Sequence, residues 1–107
     1  MKKGMIKVSV LYPGGNGKTF DMDYYCNKHM PMAKELVGET MKGATVEKGI
    51  AGGAPDSPAP YAAVASSYFD SIEAFQTAFG PHMDTLSADI PNYTNIEPII
   101  QISEVIF

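Results

Sequence analysis

The order of strand-like and helical runs along the chain is the sequence feature that most restricts its fold. From Met5 to Tyr12 the side chains alternate with a period of two, which is typical of a strand. From about Asp21 to Gly38 apolar residues recur at steps of three and four, as on one face of a helix that Pro31 interrupts. Further strands are predicted over 44–51, 61–69 and 96–107, with a second helical region over 70–89 that Asp70 begins as N-cap.

This order, β-α-β-β-α-β, is that of the ferredoxin-like split motif and predicts an α+β fold. The four strands are expected to form one antiparallel sheet, with both helical regions packed on the same face. A chain of 107 residues corresponds to a single domain, 1–107, and no repeat or linker-like tract divides it.

An apolar fourth strand indicates that one copy leaves hydrophobic surface facing water. Its side chains are apolar on both sides, with Ile100, Ile102 and Ile106 on one and Ile99, Val105 and Phe107 on the other. Two helices cover only one face of such a sheet, so the remaining apolar groups need another cover. We therefore expect a homodimer in which sheet packs against sheet about a two-fold axis.

The charge composition excludes nucleic acid as an expected partner. The chain has 8 Lys+Arg against 12 Asp+Glu, a formal net charge of -4, and all its basic residues are lysines. A nucleic-acid-binding protein needs a basic stripe that displaces counterions, and it commonly reads guanine edges with arginine.

Cysteine usage and hydropathy bear on location. A single cysteine, Cys26, excludes an internal disulfide and a multi-cysteine zinc site, which fits a reducing, cytoplasmic compartment. No stretch is apolar and long enough for a signal-peptide core or a membrane span, so no membrane association is expected.

His29 is the residue best suited to chemistry. Helical spacing places it on an apolar face with Tyr25 one turn earlier and with Met32 and Leu36 further along. An imidazole titrates near pH 6.5 in an ordinary setting, roughly where a proton carrier is needed. The alternative is a core histidine bonded to one backbone carbonyl, with Tyr25 as an ordinary core aromatic.

Other candidate residues carry weaker patterns. Cys26 precedes His29 by three residues, but a buried apolar filler is a simpler interpretation than a thiolate nucleophile. His82 follows the helix-breaking Gly80-Pro81 pair, so the pattern does not define its direction. Neither histidine has the close spacing to other ligands that metal motifs show, and we expect no metal and no cofactor.

Two motifs resemble those of EthD-domain proteins, a family named for ethyl tert-butyl ether degradation. The first runs from Phe20 to Tyr25 and continues in His29-Met30-Pro31, and the second runs from Ala88 to Asn95. The resemblance covers nearly the whole chain and implies a dimeric α/β barrel. Relatives with that architecture include polyketide cyclases, lactone isomerases, decarboxylases and cofactor-free monooxygenases, and EthD proteins themselves are sometimes described as oxidoreductase-like.

The resemblance also implies a ligand cavity between the sheet and the helices, with the family histidine at His29 and the neighbouring aromatic residue at Tyr25. The residues expected to bind the substrate are Met22, Met32, Leu36, Ser66, Tyr68 and Phe79. Ser66 belongs to a set of polar strand positions that suit either a pocket wall or a solvated sheet face, namely Ser9, Ser66, Ser67, Gln101 and Ser103.

Three functions remain open at this level. The first is a cofactor-independent enzyme (isomerase, cyclase, decarboxylase or monooxygenase-like) acting on a small hydrophobic carbonyl compound, with His29 moving a proton and Tyr25 donating to the developing enolate. The second is a non-catalytic carrier or accessory protein of an oxygenase or ether-degradation system. The third is a haem-handling protein with His29 or His82 as axial ligand. The sequence identifies neither the substrate nor the reaction.

Overall fold

A computed structural model describes residues 2–107 of the chain. Its four strands are β1 (Ile6–Pro13), β2 (Gly43–Lys48), β3 (Tyr61–Phe69) and β4 (Ile99–Glu104). They form one antiparallel sheet in the spatial order β2-β3-β1-β4. This arrangement is the ferredoxin-like fold and confirms the predicted α+β class.

The helical segments come from the two β-to-β crossovers. After β1 the chain forms α1 (Met22–Tyr24), a π-helical turn (Tyr25–His29) and α2 (Met30–Val37), and after β3 it forms α3 (Ile72–Phe79) and α4 (Met83–Asp89). Short 3₁₀ turns follow α2, α3 and α4. Within residues 2–107 no helix has the length and apolar character needed to cross a bilayer.

Three predicted boundaries differ from the structure. The second and fourth strands are shorter than predicted, and Pro98, which has no N–H for a ladder, directly precedes β4. The N-cap of α3 is Ser71 rather than Asp70. The Ser71 backbone is extended and its Oγ accepts the Ala74 N–H at 3.0 Å, which satisfies an otherwise unpaired donor of the first turn.

Pro31 alters the first helical region through a π-helical turn. Its ring has no N–H that could donate to the Asn27 carbonyl. In the preceding turn the Met30 N–H donates to the carbonyl of Tyr25, five residues earlier, which is the hydrogen bond of a π helix. A π turn holds one residue more than an α turn, so it rotates all later residues by about 100° around the axis. Ala33 and Val37 consequently lie buried in α2.

The core consists of two clusters on the helix-covered face of the sheet. In one, fully buried Phe69 of β3 packs against Phe75 and Phe79 of α3, with ring centroids 5.3 and 5.8 Å away. The other is aromatic and lies at the opposite end of the sheet, around Tyr12 and Tyr25. The second cluster holds the polar groups from which a functional site can be built.

The uncovered face of the sheet is polar at its centre, where Ser9 of β1 pairs with Ser66 of β3 and Gln101 of β4. The apolar surface predicted from the fourth strand lies along the β4 edge of the sheet and on the residues that follow β4. Ile99 and Ile100 are each 52% exposed, and other exposed residues there are Ile102, Ile106 and Phe107. Five of the eight exposed large apolar side chains in the described part of the chain therefore lie on or just after β4.

Candidate functional site

The two sequence motifs are joined side by side in the fold. Phe20, just before α1, forms an isolated antiparallel bridge with Thr94, and the Asp21 N–H donates to the Tyr93 carbonyl at 2.8 Å. The Asp21 carboxylate caps α1 by accepting the Tyr24 N–H. These backbone contacts bring residues near position 25 against residues near position 90.

His29 and Asp89 form the polar centre of this junction. His29 ends the π-helical turn and Asp89 ends α4, and the Nδ1 atom lies 2.9 Å from Oδ2. The imidazole is 7% exposed, and the Asp89 side chain is largely buried as well. A buried imidazole beside apolar groups requires such a partner.

Asp89 is held by two further hydrogen bonds. The Tyr24 hydroxyl donates to its Oδ1 atom at 2.7 Å, and the Asn92 amide donates to the same atom at 2.9 Å. Burial alone would raise the pKa of Asp89, but the hydrogen bonds from Asn92, Tyr24 and His29 outweigh it and lower the pKa. Asp89 is therefore an ionised acceptor at neutral pH.

The carboxylate determines which imidazole nitrogen carries the proton. An ionised carboxylate only accepts, so Nδ1 of neutral His29 holds the hydrogen and Nε2 holds the lone pair. Across residues 2–107, no backbone or side-chain group hydrogen-bonds to Nε2. An imidazole oriented in this way can accept a proton at Nε2.

Two buried tyrosines, Tyr25 and Tyr93, pack against the imidazole, and buried Tyr12 packs against both of them. The ring of Tyr25 stacks on that of His29 with a centroid distance of 5.1 Å, and the Tyr93 ring lies at 4.8 Å. The Tyr12 and Tyr93 hydroxyls are hydrogen-bonded to each other at 2.8 Å. Burial raises the pKa of all three phenols, so they stay protonated and act as donors rather than bases.

A cavity of about 110 Å³ lies between the sheet and the helices beside these groups. Its polar lining residues include His29 and the three tyrosines, together with Ser67 and Ser87. The rest of its wall is largely apolar and comes from both layers, including Val10, Met30, Ala33, Ala65, Met83 and Leu86. Such a wall suits an apolar body with one polar end.

Of the residues predicted to carry chemistry or bind substrate, His29, Tyr25 and Phe79 line this cavity. Ser66 borders it, but Ser66 pairs with Ser9 and its side chain therefore lies on the opposite sheet face. Tyr68 has the same parity as Ser66 and also lies on that face. The strand alternation thus separates these two side chains from His29.

The remaining predicted positions lie around the cavity rather than on its wall. Met22 packs against the aromatic cluster of Tyr12 and Tyr25. Met32 and Leu36 do not line the cavity and Met30 does, because the π turn rotates the later part of the helix by one residue. Leu36 lies instead in a separate surface groove.

The other two candidates do not join His29. His82 lies in the same surface groove as Leu36, and Cys26 is exposed beside a groove between α2 and β2. Among residues 2–107, no three His, Cys, Asp or Glu side chains come together as a metal site requires.

Asp89, Tyr93 and Tyr12 are the site residues that sequence reasoning did not select. Asp89 and Tyr93 both belong to the second quoted motif, which was the available signal for them. Tyr12 ends the strict alternation of the first strand on the same side as Ile6 and Val8, which marked it only as a core residue.

Comparison with known proteins identifies similar chains. The family model described as EthD domain matches residues 16–97. The crystal structure of an EthD-like protein from Ralstonia eutropha JMP134 is 45% identical, with a TM-score of 0.92, and the match covers 99% of this chain and 96% of that one. No curated protein matches the chain significantly.

Two more distant structures share the fold. An ethyl tert-butyl ether (EthD) family protein from Bacillus halodurans C-125 is 19% identical with a TM-score of 0.65, covering 94% of this chain and 97% of that one. A dimeric protein of unknown function and ferredoxin-like fold from Bacteroides fragilis NCTC 9343 is 14% identical with a TM-score of 0.56, covering 97% and 99%.

Proposed function

The chain belongs to the EthD-domain family, and from that premise we propose that it is a cofactor-independent enzyme that transfers a proton on a small, mostly apolar carbonyl compound. The observation that carries this proposal is His29, which lines a largely apolar cavity and whose Nδ1 atom is bound to Asp89, while no group of residues 2–107 is hydrogen-bonded to its Nε2 atom. Geometry of this kind suits a general base.

The proposed step is enolisation. Nε2 of His29 takes a proton from the carbon next to the carbonyl. The electron pair of the broken C–H bond forms a C=C bond, and the π pair of the carbonyl moves onto the oxygen to give the enolate. The resulting imidazolium lies against ionised Asp89, and the Tyr25 hydroxyl donates to the enolate oxygen. Return of the proton to the far carbon of a conjugated enolate gives isomerisation. Attack of the enolate on a second carbonyl carbon of the same molecule gives cyclisation, and the alkoxide formed there takes the proton back from the imidazolium.

Deuterium exchange tests this proposal without knowledge of the natural substrate. Cyclopentanone in D₂O exchanges its α-hydrogens, and NMR follows the loss of their signal. We expect the protein to accelerate this exchange above the buffer rate, with a rate that saturates as the ketone concentration rises. Saturable binding of the ketone with exchange at the buffer rate would favour the non-catalytic carrier instead.

We also propose that two copies assemble through the β4 edge. The exposed isoleucines support the β4 edge as the interface, and the dimeric protein of the same fold from Bacteroides fragilis supports only pairing as such. Sedimentation equilibrium is expected to give twice the chain mass of 11.5 kDa. Ile102→Lys should shift the equilibrium to monomer, because a charge would be buried between the copies.

Ile72→Lys is the matched control for this experiment. Ile72 is 43% exposed and Ile102 is 42% exposed, but Ile72 lies on α3, away from the β4 edge. We expect the Ile72 variant to sediment like the wild type. A wild-type protein of monomer mass, or equal dissociation of both variants, would contradict this mode of assembly.

A further inference from the structure

We propose that the cavity takes an uncharged, single-ring ketone or phenol, with the ligand oxygen held by the hydroxyl cluster of Tyr12, Tyr25 and Tyr93. This inference rests on the proposed function, because it names the chemical class of ligand for the same cavity. It adds the identity of the oxygen-binding groups, the charge of the ligand and its size.

The hydroxyl cluster has a donor to spare. Three hydroxyls carry three protons, and linking them in a chain uses only two, of which the Tyr12–Tyr93 bond at 2.8 Å is one. All three tyrosines are at least 97% buried and line the cavity. Because a buried O–H without an acceptor is unfavourable, the arrangement suits a ligand oxygen that accepts from it.

The charges around the cavity disfavour an anionic ligand. No lysine is among the residues that line it, and the chain contains no arginine. Lys34 and Lys42 border the separate groove between α2 and β2. A carboxylate or phosphate in the cavity would meet no cation except a protonated His29, and would lie close to ionised Asp89. A neutral carbonyl or phenol needs no cation as a partner and is not repelled by the Asp89 carboxylate.

The volume of the cavity limits the ligand to one ring. An engineered protein cavity of about 150 Å³ accommodates benzene, and the cavity here measures about 110 Å³. Small Ala33 and Ala65 leave this space between the layers, and the flexible side chains of Met30 and Met83 allow its wall to adjust. A single five- or six-membered ring is therefore the upper limit, reached when these methionines move aside, and a fused ring system exceeds the site.

Binding of three matched probes, phenol, toluene and benzoate, tests this inference. They share one ring and differ in carrying a neutral oxygen, no oxygen or a negative charge. Titration calorimetry of the wild-type protein is expected to rank phenol first, toluene second and benzoate last. Tyr93→Phe and Tyr12→Phe should each weaken phenol binding by about 3- to 10-fold, as expected for one neutral hydrogen bond, and leave toluene binding unchanged.

Tyr61→Phe provides the control. Tyr61 begins β3 and does not line the cavity, so its variant should bind phenol like the wild type. Circular dichroism checks each variant for native folding, and the two cluster variants test the same hydroxyl pair independently. Phenol binding no tighter than toluene binding, tightest binding of benzoate, or no saturable binding of any probe would overturn the inference.

The two proposals fail separately, because these titrations need no turnover. Phenol binding that depends on Tyr12 and Tyr93, together with ketone exchange at the buffer rate, would refute the catalytic proposal and support the ligand class. Accelerated ketone exchange, together with phenol binding that is insensitive to both substitutions, would support the catalytic proposal and refute the ligand class.

Discussion

His29→Gln is expected to lower the accelerated α-deuterium exchange of cyclopentanone by a factor of about 10² to 10⁴, the usual contribution of a general base. Glutamine approximates the volume of histidine and can still donate a hydrogen bond towards Asp89, but it accepts no proton near neutral pH. The rate is measured by NMR at saturating ketone, so that weaker binding does not imitate a loss of chemistry.

His82→Gln is the control for that substitution. His82 lies in a surface groove away from the cavity, so the same chemical change there should leave the exchange rate unaltered. Thermal unfolding of both variants verifies that they are native during the measurement. A natively folded His29 variant that exchanges the ketone at the wild-type rate would exclude His29 as the base.

Phe69→Ala is expected to cost about 3–5 kcal/mol in the free energy of unfolding, the range for truncating a buried phenylalanine. Phe69 has no exposed surface, and its ring lies edge-on to Phe75 and Phe79 of α3. Truncation would leave a void between β3 and α3 that neighbouring side chains fill only in part. Because domains of this size are only marginally stable, the variant should be close to unfolding at room temperature.

Equilibrium urea unfolding followed by circular dichroism measures this loss. All samples need one protein concentration, because dimer formation would make the apparent stability depend on it. Ile72→Ala, at a partly exposed position of α3, is expected to change the free energy of unfolding far less. A loss below about 1 kcal/mol for the Phe69 variant would contradict its place in the core.

Local patterns explain why most of the fold was predictable. The alternation of Ile6 and Val8 with Lys7 and Ser9 reflects a real division between the helix-covered and uncovered faces of β1. Helical spacing likewise placed His29 and Tyr25 on one buried face, because they begin and end the π-helical turn and only the positions after it are shifted. Strand and helix order then determined the topology, because few arrangements connect such elements.

The π turn explains why part of the binding surface was not predicted. Counting at steps of three and four assumes 3.6 residues per turn, and one extra residue shifts every later position. Met32 and Leu36 were expected to line the cavity for that reason, whereas Met30 lines it and they do not. In the sequence, Pro31 indicates that the helix is irregular, but it does not indicate whether the helix kinks or gains a residue in one turn.

Contacts between distant segments were beyond any local pattern. His29 and Asp89 are 60 residues apart, and their pairing depends on how the end of α4 packs beside the first helical region. Strand parity alone also did not show that Ser66 and Tyr68 lie on the uncovered face. That assignment requires the register between β1 and β3, which tertiary packing determines.

The protonation pattern of the His29 ring is the most direct test of the proposed site. Long-range ¹H–¹⁵N correlation spectra at about pH 8, above the ordinary pKa of imidazole, distinguish the two neutral tautomers. We expect a proton on Nδ1, an unprotonated Nε2 whose ¹⁵N shift changes when phenol is added, and loss of the tautomer preference in Asp89→Asn. A proton on Nε2 in the wild type, or an Nε2 resonance that does not respond to phenol, would contradict the assignment of His29 as a base facing the ligand.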